Sequence, residues 1–272
     1  MNAAEDDQPV GRLVRQWRLT RGLSQLALAE QAEVSTRHLS FVETGKSAPS
    51  REMVLVLASA LEVPLRERNR WLLAAGYAPV YRERELAAPE MGELRRALEL
   101  ILARNQPYPA VVVDRRWRVM MGNESATRIM TEFIDPQVIA ETSGNAMLLV
   151  FHPGGFRRSL VNFDEVARAT LERLRREAFE DHAPDGPASL LSVIAGYGAL
   201  PSSRTQTQSE PRLLIPVHLR RGDLELRFFT TIASLGTPID LTAHELRIET
   251  YYPVDDATER WCRGGREPQG TT

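Results

Sequence analysis

Hydrophobic residues in the first part of the chain recur at intervals of three and four positions, which is the spacing of one face of an α-helix. The pattern predicts five short helices between Val10 and Gly76. Residues that favour helix starts and helix ends fall between them. They are Ser24, Ser35 and Ser50 as N-caps, and Gly22, Gly45 and Gly76 as terminators. The segment is therefore predicted to be a small all-helical domain.

The hydrophobic period changes after a further helix that is predicted from Glu90 to Asn105. Beyond it, runs of β-branched and aromatic residues alternate with turn residues, which is typical of strands. Strands are predicted at 111–113, 117–121, 213–219, 224–232 and 246–252, and helices at 124–133, 163–180 and 188–195. Two strands, then helices, then three strands favour an α+β domain with a five-stranded antiparallel sheet.

These patterns also divide the chain into domains. The predicted segments are a disordered tail (1–9), the helical domain (10–76), a linker with a connecting helix (77–107), the α+β domain (108–262) and a second disordered tail (263–272). Within the α+β domain, the polar segment 201–211 is predicted to be a flexible loop. The sequence thus indicates two domains with different secondary structure.

Charge is distributed unevenly along this chain of 272 residues, whose net charge is -2. Residues 10–76 contain ten basic and six acidic residues, so positive charge is concentrated where phosphate contacts are expected. No run approaches the roughly 18 apolar residues of a membrane span, and the N-terminus is acidic where a signal peptide is basic and then apolar. The prediction is a cytoplasmic protein without membrane association. Its single cysteine, Cys262, excludes an internal disulfide.

The stretch from Ser24 to Ser50 has the pattern of a helix-turn-helix. In its second helix the apolar residues Leu39 and Val42 are three positions apart and are predicted to face inward. The outward-facing residues are then Thr36, Arg37, Ser40 and Phe41. Because the major groove of DNA admits one α-helix, this outward face is predicted to contact base edges.

Seven residues fall together at characteristic positions of one family, namely Gln25, Ala29, Ser35, Glu43, Gly45, Lys46 and Pro49. On these residues the segment from Val10 to Gly76 resembles the XRE family, whose Cro-type helix-turn-helix binds double-stranded DNA. The resemblance implies that Gln25 holds a phosphate and that the four outward residues of the second helix contact bases. Lys46 is predicted to hold a second phosphate, and Ser35 is also predicted to belong to the DNA-binding residues. It also implies an ion pair between Arg18 and Glu43. Because recognition helices of this kind usually act in pairs about one DNA turn apart, a homodimer on an inverted repeat is predicted.

One position departs from that family. The family usually has glycine in the turn where this chain has Glu33. A left-handed backbone costs glutamate roughly 1 kcal/mol more than glycine. Either the turn is altered or this cost is tolerated.

Four motifs carry a second resemblance in the C-terminal part. They are VVVDRRWRVMMGNESA, FHPGGFRRSLVNFDEVARATLERLRREA, LRRGDLELRFFTTIASLGTPIDLTAHELRIETYYP and the DDATER that follows. Together they make the region from Tyr108 to Cys262 similar to the PAS-like ligand-binding domain of MmyB-like transcription regulators. The resemblance implies a bound small molecule, with fatty-acid-like ligands as one class.

The candidates for a ligand pocket are apolar and aromatic residues together with three polar ones. They are Trp117, Met121, Phe151, Phe228 and Ile248, with Arg157, Arg158 and Asn162 as candidate polar anchors. The apolar members fit an ordinary hydrophobic core equally well. The sequence alone leaves both interpretations open.

Metal binding and catalysis have no support in the sequence. The five histidines are scattered, and none lies at metal-ligand spacing with Cys262 or another histidine. No nucleophile elbow, phosphate-binding loop or dinucleotide fingerprint is present. The hypothesis is therefore a sequence-specific transcriptional regulator that senses a small molecule and is not an enzyme. The alternatives are a DNA-binding interaction protein, such as an antitoxin with a protein-binding C-terminal domain, and an enzyme fused to a DNA-binding domain.

Overall fold

The computed structural model describes residues 9–180, 186–198, 214–236 and 240–264. The chain divides into two compact units. The first unit comprises Met1–Glu85 and Thr237–His244, and the second comprises Leu86–Gly236 and Glu245–Thr272. The predicted tails fall almost wholly outside the described residues, as does the predicted loop at 201–211.

The first unit contains the five helices that the hydrophobic pattern predicts. They are α1 Val10–Thr20, α2 Gln25–Gln31, α3 Thr36–Glu43, α4 Arg51–Ala60 and α5 Leu65–Ala74. Ser24, Ser35 and Ser50 each accept a hydrogen bond from the backbone amide three residues further on. Each serine thereby satisfies an N–H group that the first turn of a helix leaves unpaired. The predicted caps are confirmed.

Helix ends and the turn between α2 and α3 use left-handed backbone. Gly22, Gly45 and Gly76 have φ values of 67°, 72° and 84°, and each follows a helix. Glu33 also has a positive φ, of 53°. The turn therefore keeps the usual geometry with glutamate in place of glycine, and the cost of roughly 1 kcal/mol is tolerated.

Helix α1 crosses α3 at very short range because Gly11 has no side chain. A β-carbon at Gly11 would lie 2.1 Å from the carbonyl oxygen of Val42. Around this crossing the core is closely packed, and Val14, Leu28 and Leu39 are fully buried. The positions of these helices therefore depend on a glycine that the hydrophobic pattern does not single out.

The chain after α5 remains attached to the first unit. The side chain of Asn69 accepts hydrogen bonds from the amides of Val80 and Tyr81, and it donates one to the carbonyl of Tyr81. The first part of the predicted linker is thus an ordered extension of the helical unit.

A segment from far along the sequence completes this unit. The guanidinium of Arg84 pairs with the carboxylate of Asp240. The hydroxyl of Thr242 donates to the carbonyl of Arg84 at 2.6 Å and accepts from its amide at 3.2 Å. The backbone amide of Leu241 donates to the carbonyl of Arg82. Residues more than 150 positions apart are therefore neighbours here.

The second unit is built on the predicted five-stranded antiparallel sheet, with strand order β2-β1-β5-β4-β3. The strands are β1 Ala110–Val113, β2 Val119–Gly122, β3 Val217–Arg221, β4 Leu224–Ala233 and β5 Arg247–Pro253. The last two predicted strands match closely, and Leu213, where the third was predicted to begin, lies outside the described residues. The α+β class is confirmed.

The second strand begins two residues later than predicted. The carboxylate of Asp114 accepts hydrogen bonds from the amides of Arg116 and Arg118. This extends the turn so that Trp117, with φ 64°, lies in the turn, and the strand begins at Val119. The side chain of Trp117 is fully buried.

Helices cover both faces of the sheet. They are α6 Gly92–Arg104, α7 Glu124–Phe133, α8 Pro136–Glu141, α9 Ala146–Phe151, α10 Phe163–Glu180, α11 Pro187–Gly196 and α13 Asp256–Cys262, with 3-10 turns at Pro89–Met91 and Phe156–Arg158. The short helix α12, Leu241–Glu245, belongs to the first unit up to His244. Sequence periodicity predicts α6, α7, α10 and α11 but not α8, α9 or α13. Those three have only six or seven residues, too few for a helical period to be recognised.

The connecting helix α6 belongs to the second unit. Its residues Leu98 and Leu102 pack against Ala110, Val112 and Ile248 on one face of the sheet. The opposite face is covered mainly by α7, α9 and α10. On the face against α6 the sheet is buried at β1 and β5, whereas Arg220, Arg227 and Thr231 of β3 and β4 are exposed.

We predict that Gly11→Ala lowers the free energy of unfolding of the first unit by about 1 to 3 kcal/mol or more, because the methyl group would overlap the backbone of Val42. Thermal and urea unfolding of the full chain measure the change. Gly92→Ala, near the start of α6, is the matched control, since its nearest neighbours are the ends of two arginine side chains at 3.9 and 4.0 Å. Equal unfolding of the two variants would contradict the prediction.

Candidate DNA interface and ligand cavity

Helix α3 presents a polar face opposite its buried one. Leu39 and Val42 are 0% and 1% exposed, whereas Arg37 is exposed. Ser35 is exposed, and Thr36, Ser40 and Phe41 are half-buried. The predicted base-contacting residues therefore lie on one accessible surface.

An aromatic ring restricts the most extended of these side chains. The guanidinium of Arg37 lies 5.4 Å from the ring centre of Phe41, one helical turn away. Such a contact orients a guanidinium without using its hydrogen-bond donors. Arg37 is thereby placed with its donors free to meet an acceptor outside the protein.

The loop after α3 holds an exposed lysine in a fixed backbone position. The amide of Gly45 donates to the carbonyl of Val42, and the amide of Lys46 donates to that of Phe41. These two bonds form a Schellman motif, which closes the C-terminus of a helix. The predicted phosphate contact at Lys46 thus lies directly beside the exposed surface of α3.

Arg18 and Glu43 form the ion pair that the resemblance implies. Nε and Nη2 of Arg18 donate to the two carboxylate oxygens of Glu43 at 2.6 and 2.8 Å. The two side chains are 8% and 2% exposed. Arg18 also donates to the carbonyl of Leu23, at 2.8 Å. This bidentate, buried pair joins the end of α1 to the end of α3.

Glu43 also accepts a hydrogen bond from the side-chain amide of Gln25, at 2.8 Å. Burial acts to raise the pKa of Glu43, but the hydrogen bonds from Arg18 and Gln25 outweigh it, so that the pKa lies below its ordinary value. The carboxylate is therefore ionised at neutral pH. Gln25, the first residue of α2, is held by the same carboxylate that fixes α3.

The second unit contains a cavity of about 100 Å³ between the sheet and its helices. Its wall is almost entirely apolar. The lining residues are Pro109, Val111, Val119, Ala126, Ile129, Met130, Ala146, Leu149, Val150, Phe156, Leu160, Val166, Val217, Leu219, Phe228 and Tyr251. An apolar cavity excludes water and favours apolar ligands.

Tyr251 is the only residue in this lining with a side-chain oxygen or nitrogen. Its hydroxyl interacts with the carboxyl group of Glu249, which lies two residues earlier on the same face of β5. Burial is the main cause that raises the pKa of both groups above their ordinary values. Sequence reasoning missed this pair; three polar residues alternating within a buried strand, Arg247, Glu249 and Tyr251, would have indicated it.

Phe228 is the only predicted pocket residue that lines the cavity. Met121 and Ile248 lie on the other face of the sheet, against α6. Trp117 and Phe151 belong to a separate cluster with α10 and α11. Alternation within a strand places neighbours on opposite faces, so buried apolar residues that look equivalent in sequence are separated.

The three predicted polar anchors bind the protein's own backbone. Arg157 donates to the carbonyl of Tyr197 at 3.1 Å, and Arg158 donates to that of Phe133 at 3.3 Å. Asn162 donates to the carbonyl of Pro216 at 2.7 Å, accepts from the amide of His218 and also donates to Glu165. These bonds hold loops in place, and none of the three residues lines the cavity.

Other chemistry finds little support in the described part of the chain. No cluster of three or more histidine, cysteine, aspartate or glutamate residues within it could hold a metal ion. No helix there is long and apolar enough to cross a membrane. Burial raises the pKa of the Cys262 thiol to about 11, so it stays protonated and unreactive.

We predict that Arg18→Ala lowers the free energy of unfolding by about 3 to 5 kcal/mol, because it leaves the buried carboxylate of Glu43 without its partner. Chemical denaturation of the full chain measures the loss. Arg263→Ala is the control, since the pair between Arg263 and Glu259 has a similar distance of 2.7 Å but its arginine is 63% exposed. That exposed pair is expected to contribute less than about 1 kcal/mol. Similar losses in both variants would contradict the prediction.

Comparison with known proteins supplies two family matches. The MmyB-like transcription regulator ligand binding domain matches residues 94–263. A helix-turn-helix family matches residues 14–68. No curated protein sequence gives a significant match.

A solved structure of an RNA-binding light-oxygen-voltage receptor is similar to 96% of this chain at 12% sequence identity, with a TM-score of 0.28. The chain spans 64% of the length of that protein. A TM-score this low does not establish a common fold.

The two family matches agree with the two units. The helix-turn-helix match runs from within α1 to the start of α5, and the ligand-binding match covers most of the five-stranded unit with its cavity. The second match alone extends over more than half of the chain. The chain belongs to the MmyB-like transcription regulators.

Proposed function

We propose that this protein binds a specific sequence in double-stranded DNA through α3 and changes its DNA affinity when a small, largely apolar molecule enters the cavity of the second unit. The observation that carries the proposal is the accessible face of α3, held in position by the buried pair of Arg18 and Glu43.

The distribution of polar groups on α3 supports recognition of bases. Arg37 is exposed and stacked on Phe41, so its guanidinium is oriented before DNA arrives. Arginine bonded to the two acceptors of guanine is the commonest specific contact in the major groove. Thr36 and Ser40 add hydroxyl groups that can donate and accept. This face supplies sequence preference in the proposed complex.

Phosphate binding comes from groups beside α3. Lys46 is exposed in the loop that closes the helix, and Gln25 begins α2. Contacts to phosphates position a protein on DNA without selecting a sequence. Because such recognition helices usually act in pairs about one DNA turn apart, we propose a homodimer on an inverted repeat.

The cavity supports an apolar ligand in the second unit. Its volume of about 100 Å³ is of the same order as the roughly 150 Å³ cavity that holds benzene in an engineered protein. A molecule with a short chain therefore fits the cavity as it is in this structure. Binding of a fatty-acid-like ligand with a long chain requires the helices that line the cavity to move apart.

We predict that Arg37→Ala weakens binding to the selected operator by roughly 1 to 3 kcal/mol and relaxes the base preference at one position. Lys46→Ala should weaken operator and unrelated duplexes alike and reduce the dependence of binding on salt. Selection from genomic fragments followed by fluorescence anisotropy over a range of salt concentrations measures both effects.

The control for that experiment is Arg104→Ala, which removes an exposed positive charge from the end of α6 in the second unit. It should leave operator affinity unchanged. If the unaltered protein binds selected and scrambled duplexes equally, sequence-specific regulation is ruled out. A footprint over one half-site by a monomer would rule out the homodimer.

We predict that Ala126→Leu, which adds three carbon atoms to the cavity wall, prevents ligand binding and the ligand's effect on DNA. Protein purified from its native host is extracted with organic solvent, and the extracted compound is identified by mass spectrometry and titrated against operator binding. A coupling of about 1 to 3 kcal/mol corresponds to a change in operator affinity of roughly 5- to 150-fold.

Ala195→Leu is the matched control, because Ala195 is exposed on α11. It should retain ligand binding and coupling. If no native extract changes either the melting temperature or the operator affinity of the unaltered protein, the sensing part of the proposal fails.

A further inference from the structure

The cavity wall has a single polar position, and a buried carboxyl group stands next to it. Tyr251 lines the cavity and interacts with the carboxyl group of Glu249, which is 7% exposed. Glu249 pairs across the sheet with Val111 of β1, which also lines the cavity. Its other strand neighbour, on β4, is the apolar residue Ile232. The carboxyl group therefore lies on the cavity face of the sheet.

The charges around Glu249 come from α10 and β5. Arg173 and Arg247 attract its carboxylate, but burial is the larger influence and raises its pKa. Arg247 is already paired with Glu177 at 3.0 Å, and Trp117 donates to the other oxygen of Glu177 at 2.8 Å. In this described cluster two guanidinium groups face two carboxyl groups, so there is no excess of positive charge.

A ligand that reaches Tyr251 meets this arrangement. The tyrosine hydroxyl interacts with the carboxyl group of Glu249. A phenolic oxygen can also accept a hydrogen bond through its lone pairs. A second anion at this position would lie close to the carboxyl group of Glu249, in almost entirely apolar surroundings. Two nearby like charges in such a region oppose ionisation of one of them.

We propose that Glu249 and Tyr251 select the ligand by charge, favouring a neutral, largely apolar molecule with one hydrogen-bond donor over a carboxylate anion. This inference rests on the proposed function, since it names the ligand chemistry of the same cavity. An aliphatic alcohol meets the requirement directly. A fatty acid meets it in the protonated form, so binding of a fatty-acid anion takes up one proton.

Calorimetric titration of the full chain with 1-hexanol, hexanoate and benzene at pH 6.5 and 7.5 tests this selection. At pH 7.5 we expect 1-hexanol to bind at least tenfold more tightly than hexanoate. The affinity for hexanoate should rise about tenfold at pH 6.5, because one proton is taken up per anion bound. The affinity for 1-hexanol should not change with pH.

Two variants separate the pair from the apolar wall. In Glu249→Gln, the affinity for hexanoate at pH 7.5 should rise at least fivefold and its pH dependence should weaken. In Tyr251→Phe, the affinity for 1-hexanol should fall severalfold while that for benzene, which has no polar group, stays the same. Near-ultraviolet circular dichroism establishes that both variants keep the native fold.

Each remaining outcome overturns a specific statement. Equal affinities of the unaltered protein for 1-hexanol and hexanoate at pH 7.5 would overturn selection by charge. An unchanged ratio of these affinities in Glu249→Gln would assign the selection to the apolar wall and overturn the role of Glu249. If none of the three probes binds, both the ligand-sensing part of the proposed function and this inference are overturned. If benzene binds but the affinities for 1-hexanol and hexanoate are equal, or their ratio does not change in Glu249→Gln, only the inference is overturned.

Discussion

The ion pair between Arg18 and Glu43 is the interaction on which the DNA-binding surface depends. It is buried, bidentate and extended by Gln25, so one carboxylate connects α1, α2 and α3. A buried pair adds little net stability compared with apolar packing, but it penalises any arrangement that separates its members. The geometry of the helix-turn-helix is therefore set by a polar contact beneath a surface whose outer residues are free to contact DNA.

The first unit could be predicted from sequence because its signals are local. Ser24 and Ser35 cap helices through atoms three residues away, and Gly45 ends one within a single turn. Gly11 is different, since the reason for a glycine there is the carbonyl of Val42, which no local pattern reveals. The sequence thus predicts the helices, whereas their closest crossing depends on contacts between distant residues.

In the second unit the class of fold could be predicted, but the cavity could not. Apolar residues are buried on both faces of the sheet, so Ile248 and Phe228 have the same character although only Phe228 lines the cavity. Asn162 resembled a ligand anchor because a polar residue amid apolar ones suggests binding, but its hydrogen bonds hold the backbone near β3. The polar pair that does lie beside the cavity is formed within one strand.

The first unit is discontinuous in sequence, and this affects how the protein can be divided. Residues 240–244 belong to it, and Asp240 and Thr242 bond to Arg84. A gene fragment ending after Glu85 would encode the five helices but leave Arg84 without these partners. A fragment beginning at Leu86 would expose Leu241, which is buried in the intact protein. Separate production of the two halves therefore requires grafting residues 240–244 onto the N-terminal fragment, for instance through a short flexible linker.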